Sequence, residues 1–214
     1  MAKHSTGQPS AGADWRWVGE RGIRVPTGAA TLAHYDALVA CAFPEIEDII
    51  PADDSILLIV RPGAALPPEL CAALQALGPG GVTRGGTLHE MVVEYGGAAG
   101  PDLPALARQA GLALDDYVSR HAAVEYTVAF LGFQPGFPYL RGLPSGLHAR
   151  RRATPRLRVP AGSVAVGGAY AGIYPAAGPG GWQLIGRTDT VLFDAARDGP
   201  ALLRPGDRVR FVPR

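Results

Sequence analysis

Apolar and polar positions change period several times along the chain, and each change predicts a new element. Residues 15–26 carry apolar positions on either side of Gly19-Glu20-Arg21-Gly22, which predicts two short strands around a turn. Leu32, Tyr35, Leu38, Val39 and Phe43 then recur at helical spacing and predict a helix over 29–42. Two apolar runs, 45–50 and 55–60, flank Pro51-Ala52-Asp53-Asp54 and read as a hairpin. A second helix is predicted over 66–77, with Pro67 and Pro68 in its first turn and Gly78 at its end. A strand over 87–95 follows. This order predicts a small α/β sandwich with both helices on one face of the sheet.

The pattern shifts at Gly96-Gly97-Ala98-Ala99-Gly100-Pro101. Two short helices are expected beyond it, over 103–109 and 115–122, the second opened by Asp115 and Asp116 at its positive end. From there short β runs alternate with Gly/Pro turns: 124–133, 163–166, 172–174, 182–186, 190–193 and 208–212. So many short strands predict a closed or nearly closed barrel, which leaves few open edges. The fold class is therefore α+β. Residues 1–13 are expected to form a disordered tail, 14–95 an N-terminal α/β domain and 96–214 a β-barrel domain.

Composition narrows the function classes. Apolar residues make up 47% and charged residues 18%, which suits a globular chain, and the formal net charge of +1 gives no global attraction to nucleic acid or membrane. No apolar run is long enough to span a bilayer, and residues 1–13 lack the apolar core of a signal peptide. Cys41 and Cys71 sit in apolar helical patterns with no second Cys or His at ligand spacing, so they read as reduced core thiols of a cytoplasmic protein, with no metal site.

Three segments stand out as carriers of chemistry. In the run Phe130 to Leu140, two prolines and a glycine stiffen the backbone around Gln134, Phe137 and Tyr139. It reads either as a hydrophobic plug closing one barrel end or as a rigid loop presenting polar side chains. Arg150, Arg151, Arg152, Arg156 and Arg158 form a basic strip whose backbone Pro155 and Pro160 hold extended. Alternation turns Arg150, Arg152, Arg156 and Arg158 one way and Arg151 the other. Arg forks match paired phosphate or carboxylate oxygens, although a solvated charge run is the plainer alternative. Gly178 to Thr188 is a Gly-rich turn entering a strand, either an ordinary β-turn or an anion nest made by the backbone N–H groups at Gly180 and Gly181. It lacks the Gly-Lys-Ser/Thr ending of a Walker loop. His121 is either a general base or a favourable charge at the end of a helix.

Val93-Glu94-Tyr95-Gly96-Gly97, Gly100-Pro101-Asp102-Leu103, the run 130–140 and Arg151-Arg152-Ala153-Thr154-Pro155-Arg156 occur in this order. Val159-Pro160-Ala161-Gly162-Ser163-Val164, Gly172-Ile173-Tyr174-Pro175, the run 179–188 and Leu203-Arg204-Pro205-Gly206-Asp207 follow. Together they resemble the family of 5-oxoprolinase B subunits, also called allophanate hydrolase subunit 1, which includes sporulation histidine-kinase inhibitors. The resemblance is strong over about 87–213 and only a matter of pattern over 14–86. It implies a cyclophilin-like barrel. It also implies a role beside the A and C subunits of 5-oxoprolinase in opening 5-oxoproline to glutamate with ATP, Mg²⁺ being the counter-ion of the nucleotide. In that light Arg151, Arg152 and Arg156, with Gly180, Gly181 and Gln183, become candidate anion and substrate contacts, and His121, Gln134, Tyr139 and His148 candidate catalytic groups. Arg141 departs from the family, where a small residue is common at that place.

A regulatory protein that docks on a histidine kinase is the rival reading, since that branch shares the same motifs. A peptidyl-prolyl isomerase rests on fold alone and carries little weight. Hydrolysis of allophanate would want a serine nucleophile constellation, and none is evident in the sequence.

Overall fold

The computed structural model describes residues 15–76 and 85–214, which divide into two compact units at 84/85. In the N-terminal unit the turn at Gly19 joins β1 (Arg16–Val18) to β2 (Gly22–Pro26) as expected. A helix α1 (Thr31–Cys41) follows and closes on Ala42, whose φ of 48° puts the chain in the left-handed region typical of a helix end. The hairpin is present as β3 (Ile46–Pro51) and β4 (Ser55–Val60), and α2 (Pro68–Ala76) opens on Pro68. The sheet runs β1-β2-β4-β3, antiparallel throughout. Ile23 and Val25 of β2 and Ile56, Leu58 and Val60 of β4 alternate into one core with Leu38 of α1 and Leu70 and Leu74 of α2. The expected tail, Leu77 and Gly78 lie outside the described residues.

The second unit begins earlier than the glycine cluster suggests. β5 (Leu88–Tyr95), assigned from sequence to the N-terminal sandwich, is a barrel strand: it pairs parallel with β13 (Arg208–Pro213) from Leu88↔Arg208 to Val93↔Pro213. A parallel partner needs a long crossover, and here the rest of the unit supplies it. Gly96 and Gly97, with φ of 75° and 53°, therefore turn the chain within the barrel unit rather than linking two units.

Helices α3 (Leu103–Gln109) and α4 (Leu114–Ala122) follow, and then β6 (Glu125–Leu131) and β7 (Pro138–Arg141). The remaining strands are β8 (Arg156–Val159), β9 (Ser163–Gly167), β10 (Tyr170–Ile173), β11 (Gly178–Gly180) and β12 (Gln183–Arg187). Seven strands close a barrel in the order β10-β7-β6-β13-β5-β12-β9, while β8 and β11 pair apart from it as a two-stranded ribbon. Leu103, Leu106 and Tyr117 of the two helices join Val93, Val128, Val164 and Phe211 in the larger core. The strand expected over 190–193 is instead irregular, tied by a single bridge between Phe193 and Ala201. Cys41 is exposed and Cys71 half-buried, both free, so the core-thiol expectation fails: each falls off the buried stripe of its helix. Among the described residues no helix is long and apolar enough to cross a membrane.

Candidate functional site

The three segments singled out from sequence meet around Trp182. The loop after β6 is folded on itself by Gly132 N–H donating to the Phe137 carbonyl (3.1 Å) and Phe137 N–H donating to the Gln134 carbonyl (3.0 Å). It places Phe137, buried, edge-on to Trp182 (5.3 Å, 84°) and to Tyr174 (5.2 Å). Tyr139 stacks on Phe130 at 4.3 Å and meets Trp182 edge-on at 5.5 Å. The basic strip reaches the same place: the Arg151 guanidinium lies 5.5 Å over the Trp182 ring, a cation–π contact. Arg152 N–H donates to the Gly181 carbonyl (2.7 Å), and Gln183 Nε2 donates to the Arg150 carbonyl (3.0 Å).

The ribbon β8/β11 lies against this aromatic cluster, and at Gly180 nothing larger fits, whereas at Gly178 the neighbour is the mobile end of Gln134. A Cβ on Gly178 would sit 2.6 Å from Gln134 Nε2, and one on Gly180 would collide with the Tyr174 hydroxyl. Gly180 pairs with Arg156 and Gly178 with Val159, with an irregularity between the two pairs, so β11 brings Tyr174 beside the Arg156 pair and Gln134 beside the Val159 pair. Burial pushes the Tyr174 hydroxyl above the ordinary tyrosine range. Its backbone hydrogen bond with Trp182 and the charges of Arg151 and Arg156 pull the other way.

Asp102, just ahead of α3, organises the arginines, and the candidate set drawn from sequence omitted it. Its Oδ2 accepts from Leu184 N–H (2.7 Å), while Oδ1 accepts from Arg156 Nη2 (2.7 Å) and Arg152 Nη1 (3.4 Å). The residue is 9% exposed, so these are charge-assisted bonds in a mostly dry setting. One carboxylate against two guanidiniums leaves a net positive charge. Two atoms of the site are buried and without a hydrogen-bond partner: Arg156 Nη1, a donor, and Gln134 Oε1, an acceptor. The only sequence signal for Asp102 was an acidic residue enclosed by Gly100-Pro101 and a helix start.

Other candidates are not brought here. His121 is wholly buried, with its ring 4.8 Å from Phe211 and 5.3 Å from Tyr126 and its Nδ1 2.8 Å from the Tyr95 hydroxyl. Desolvation lowers its pKa to about 3, so it is neutral and enclosed, neither a solvent-facing base nor a charged helix end. His148 is exposed, held by a 3.0 Å contact of Nε2 with the Leu143 carbonyl, and lines a shallow pocket with Leu106, Gln109 and Tyr117. The anion nest is absent as well. Gly178–Gly180 is strand, and none of Gly178, Gly180 and Gly181 has the positive φ that an alternating nest requires. Arg152 and Arg156 do face one carboxylate together, but Arg158 is exposed apart from them. Among the described residues no three His, Cys, Asp or Glu side chains gather to hold a metal ion.

Known proteins share this architecture. The carboxyltransferase domain, subdomain C and D, matches over residues 14–203. The chain is similar to the 5-oxoprolinase B subunit of Escherichia coli O157:H7, 51% identical over 178 residues that make up 80% of this chain and 79% of that one. Among solved structures it is similar to TTHA0988, with a TM-score of 0.77 and 36% identity, over 91% of this chain and 40% of that chain. It is also similar to PH0987 from Pyrococcus horikoshii, a conserved uncharacterized protein, with a TM-score of 0.58 and 31% identity over 94% of this chain and 97% of that one.

Proposed function

The chain belongs to the carboxyltransferase-domain family, subdomain C and D, and from that premise we propose that it works as the B subunit of an ATP-dependent 5-oxoprolinase, opening 5-oxoproline to glutamate together with the A and C subunits. The name of the Escherichia coli relative supports the reading, and the observation that carries it is the pair of partnerless atoms beside an aromatic wall. A five-membered lactam offers one N–H donor, one carbonyl acceptor, a carboxylate and an apolar ring edge. Gln134 Oε1 accepts the N–H, Arg156 Nη1 donates to an anionic oxygen, and Tyr139 and Phe137 bound the ring. Buried polar groups that the right ligand alone satisfies discriminate strongly against analogues lacking the matching group.

The unstrained amide resists water, and ATP, when bound, supplies the phosphoryl group that makes the carbonyl oxygen a good leaving group. The residues fit a single anionic group. Arg152 and Arg156 share Asp102, so the cluster lacks the charge to hold a triphosphate alone, and nucleotide binding falls to the partner subunits. Within that division of labour Asp102 fixes the two forks, which stabilise charge as it develops on the carbonyl oxygen.

Co-expression with the two partner subunits should yield a complex that releases glutamate from 5-oxoproline only with ATP, while this chain alone releases none. Turnover by the single chain, or undiminished turnover by a complex lacking it, overturns the proposal. In the complex, Arg156→Lys keeps the charge but loses the fork. It should slow turnover about thirtyfold, equivalent to about 2 kcal/mol of transition-state binding, with the thermal midpoint little changed.

A further inference from the structure

Arg151 has no task in the lactam site as proposed. Its neighbour Arg152 turns to Asp102, while Arg151 is exposed and lays its guanidinium 5.5 Å over the Trp182 ring. Among the described residues no carboxylate pairs with it, whereas Arg152 and Arg156 share one. The platform beneath it is rigid. Trp182 is buried against glycines of β9 and β10: a Cβ on Gly167 would collide with the indole, and one on Gly172 would come within 3.0 Å of it. Phe137 and Tyr139 brace the ring edge-on. A guanidinium stacked on such a surface has given up much of its rotamer freedom already, so an anion gains its fork at little further entropic cost.

The run 178–182 sets out the polar groups in chain order. Gln134 Nε2 lies beside Gly178, Arg156 pairs with Gly180, and Arg151 covers Trp182. The Tyr174 hydroxyl links the last two: it abuts Gly180, accepts the Trp182 backbone N–H, and feels the charges of both Arg151 and Arg156. From Gly178 to Trp182 the backbone spans no more than about 14 Å, so the three polar groups lie within reach of one ligand. Their order matches a lactam being phosphorylated on its carbonyl oxygen. The ring N–H meets Gln134 Oε1, the carbonyl oxygen beside it meets Arg156, and the phosphoryl group beyond that oxygen comes last, where Arg151 stands. The exposure of Arg151 has the same logic. A nucleotide held by a partner subunit delivers its phosphoryl group from outside, and the side chain that meets it has to face outward.

We propose that Arg151 is the catalytic arginine for the phosphoryl group in transit, meeting it as it passes from a nucleotide on a partner subunit to a lactam held by Gln134 and Arg156. In that step the lactam carbonyl oxygen forms a bond to the γ-phosphorus and the bond to the β,γ-bridging oxygen breaks. ADP leaves with that electron pair, and the lactam proton stays on nitrogen, hydrogen-bonded to Gln134 Oε1. Charge on the equatorial oxygens of the transferring group is what a planar, pre-positioned fork stabilises. The proposal rests on the subunit reading above and adds which arginine meets the phosphoryl group.

The test uses the three-subunit complex carrying Arg151→Ala, Arg151→Lys or, as a control for net charge, Arg158→Ala. Arg151→Ala should slow glutamate release about a hundredfold or more and leave KM for 5-oxoproline within about threefold. Added guanidinium ion should restore part of its rate. Arg151→Lys should stay slow, having the charge without the fork. A readout independent of turnover is capture of ADP with fluoroaluminate, a mimic of the transferring group, in the presence of 5-oxoproline. The unsubstituted complex and Arg158→Ala should retain the mimic through gel filtration, and both Arg151 variants should lose it. Rates and retention that ignore Arg151, a raised KM with kcat unchanged, an equal loss for Arg158→Ala, or failure of the Arg151 variants to assemble each overturns this role and leaves the subunit reading standing. No ATP-dependent glutamate release by the unsubstituted complex overturns both.

Discussion

Replacing Asp102 by Ala should destabilise the second unit by about 3–5 kcal/mol, the cost of leaving a buried charge without its partner. Asp102 accepts three hydrogen bonds, from Leu184 N–H, Arg156 and Arg152. Its removal leaves Arg156, whose side chain is only 22% exposed and whose Nη1 already lacks a partner, with no counter-charge. It also orphans a buried backbone N–H on β12. Asp102→Asn keeps the shape and one acceptor oxygen, and should cost less than half as much. Thermal or urea unfolding of the free chain reads both changes. Equal, small losses for the two variants would mean that the carboxylate is a surface ion pair of little consequence.

The second large effect is acid sensitivity from His121. Its pKa is near 6.5 in the unfolded chain and is pushed down to about 3 in the fold by desolvation. Between these values the unfolded state binds the extra proton and the folded state does not. The contribution to stability is therefore complete above about pH 6.5 and is lost as pH falls toward 3, at about 1.4 kcal/mol per pH unit. His121→Gln removes the titration and keeps a polar group for the Tyr95 hydroxyl. Its unfolding free energy should fall more slowly than wild type between pH 6.5 and 5, by about one proton's worth of slope. Parallel pH profiles for the two proteins would show that His121 does not titrate on unfolding.

His121 also illustrates what a sequence conceals. It follows Arg120 at the end of a helix, a place where histidine is usually wet. Only the barrel brings Tyr95, Tyr126 and Phe211 around it. The regular elements were legible because their signals are local: alternation in β2 and β4, prolines opening α2, turn residues around 51–54. β7, β8 and β11 escaped as strands because they are three or four residues long and rich in Pro, Gly or Arg, so no alternation develops. β5 was found but misplaced, since its partner β13 lies more than a hundred residues onward and pairing at that distance leaves no mark in the sequence. The loop, the basic strip and the Gly-rich run were each legible by local composition, and the fold brings parts of all three around Trp182, leaving His148 elsewhere. The carboxylate that ties two of the arginines was not anticipated, because a single Asp beside a helix start reads as a cap. Here its side chain makes no capping bond and turns to β12 instead.

The ribbon site, and not the buried histidine, is proposed as the part of this chain that meets the reacting lactam. The most direct test is the rate of ATP-dependent glutamate release at about pH 7.5, near the physiological range where His121 is neutral, by the three-subunit complex rebuilt in turn with Gln134→Leu, Arg156→Lys and His121→Gln. The expected result is at least tenfold slower release for the first two, with assembly intact, and a near-normal rate for the third. Normal rates for the Gln134 and Arg156 variants with a collapsed rate for His121→Gln would contradict it.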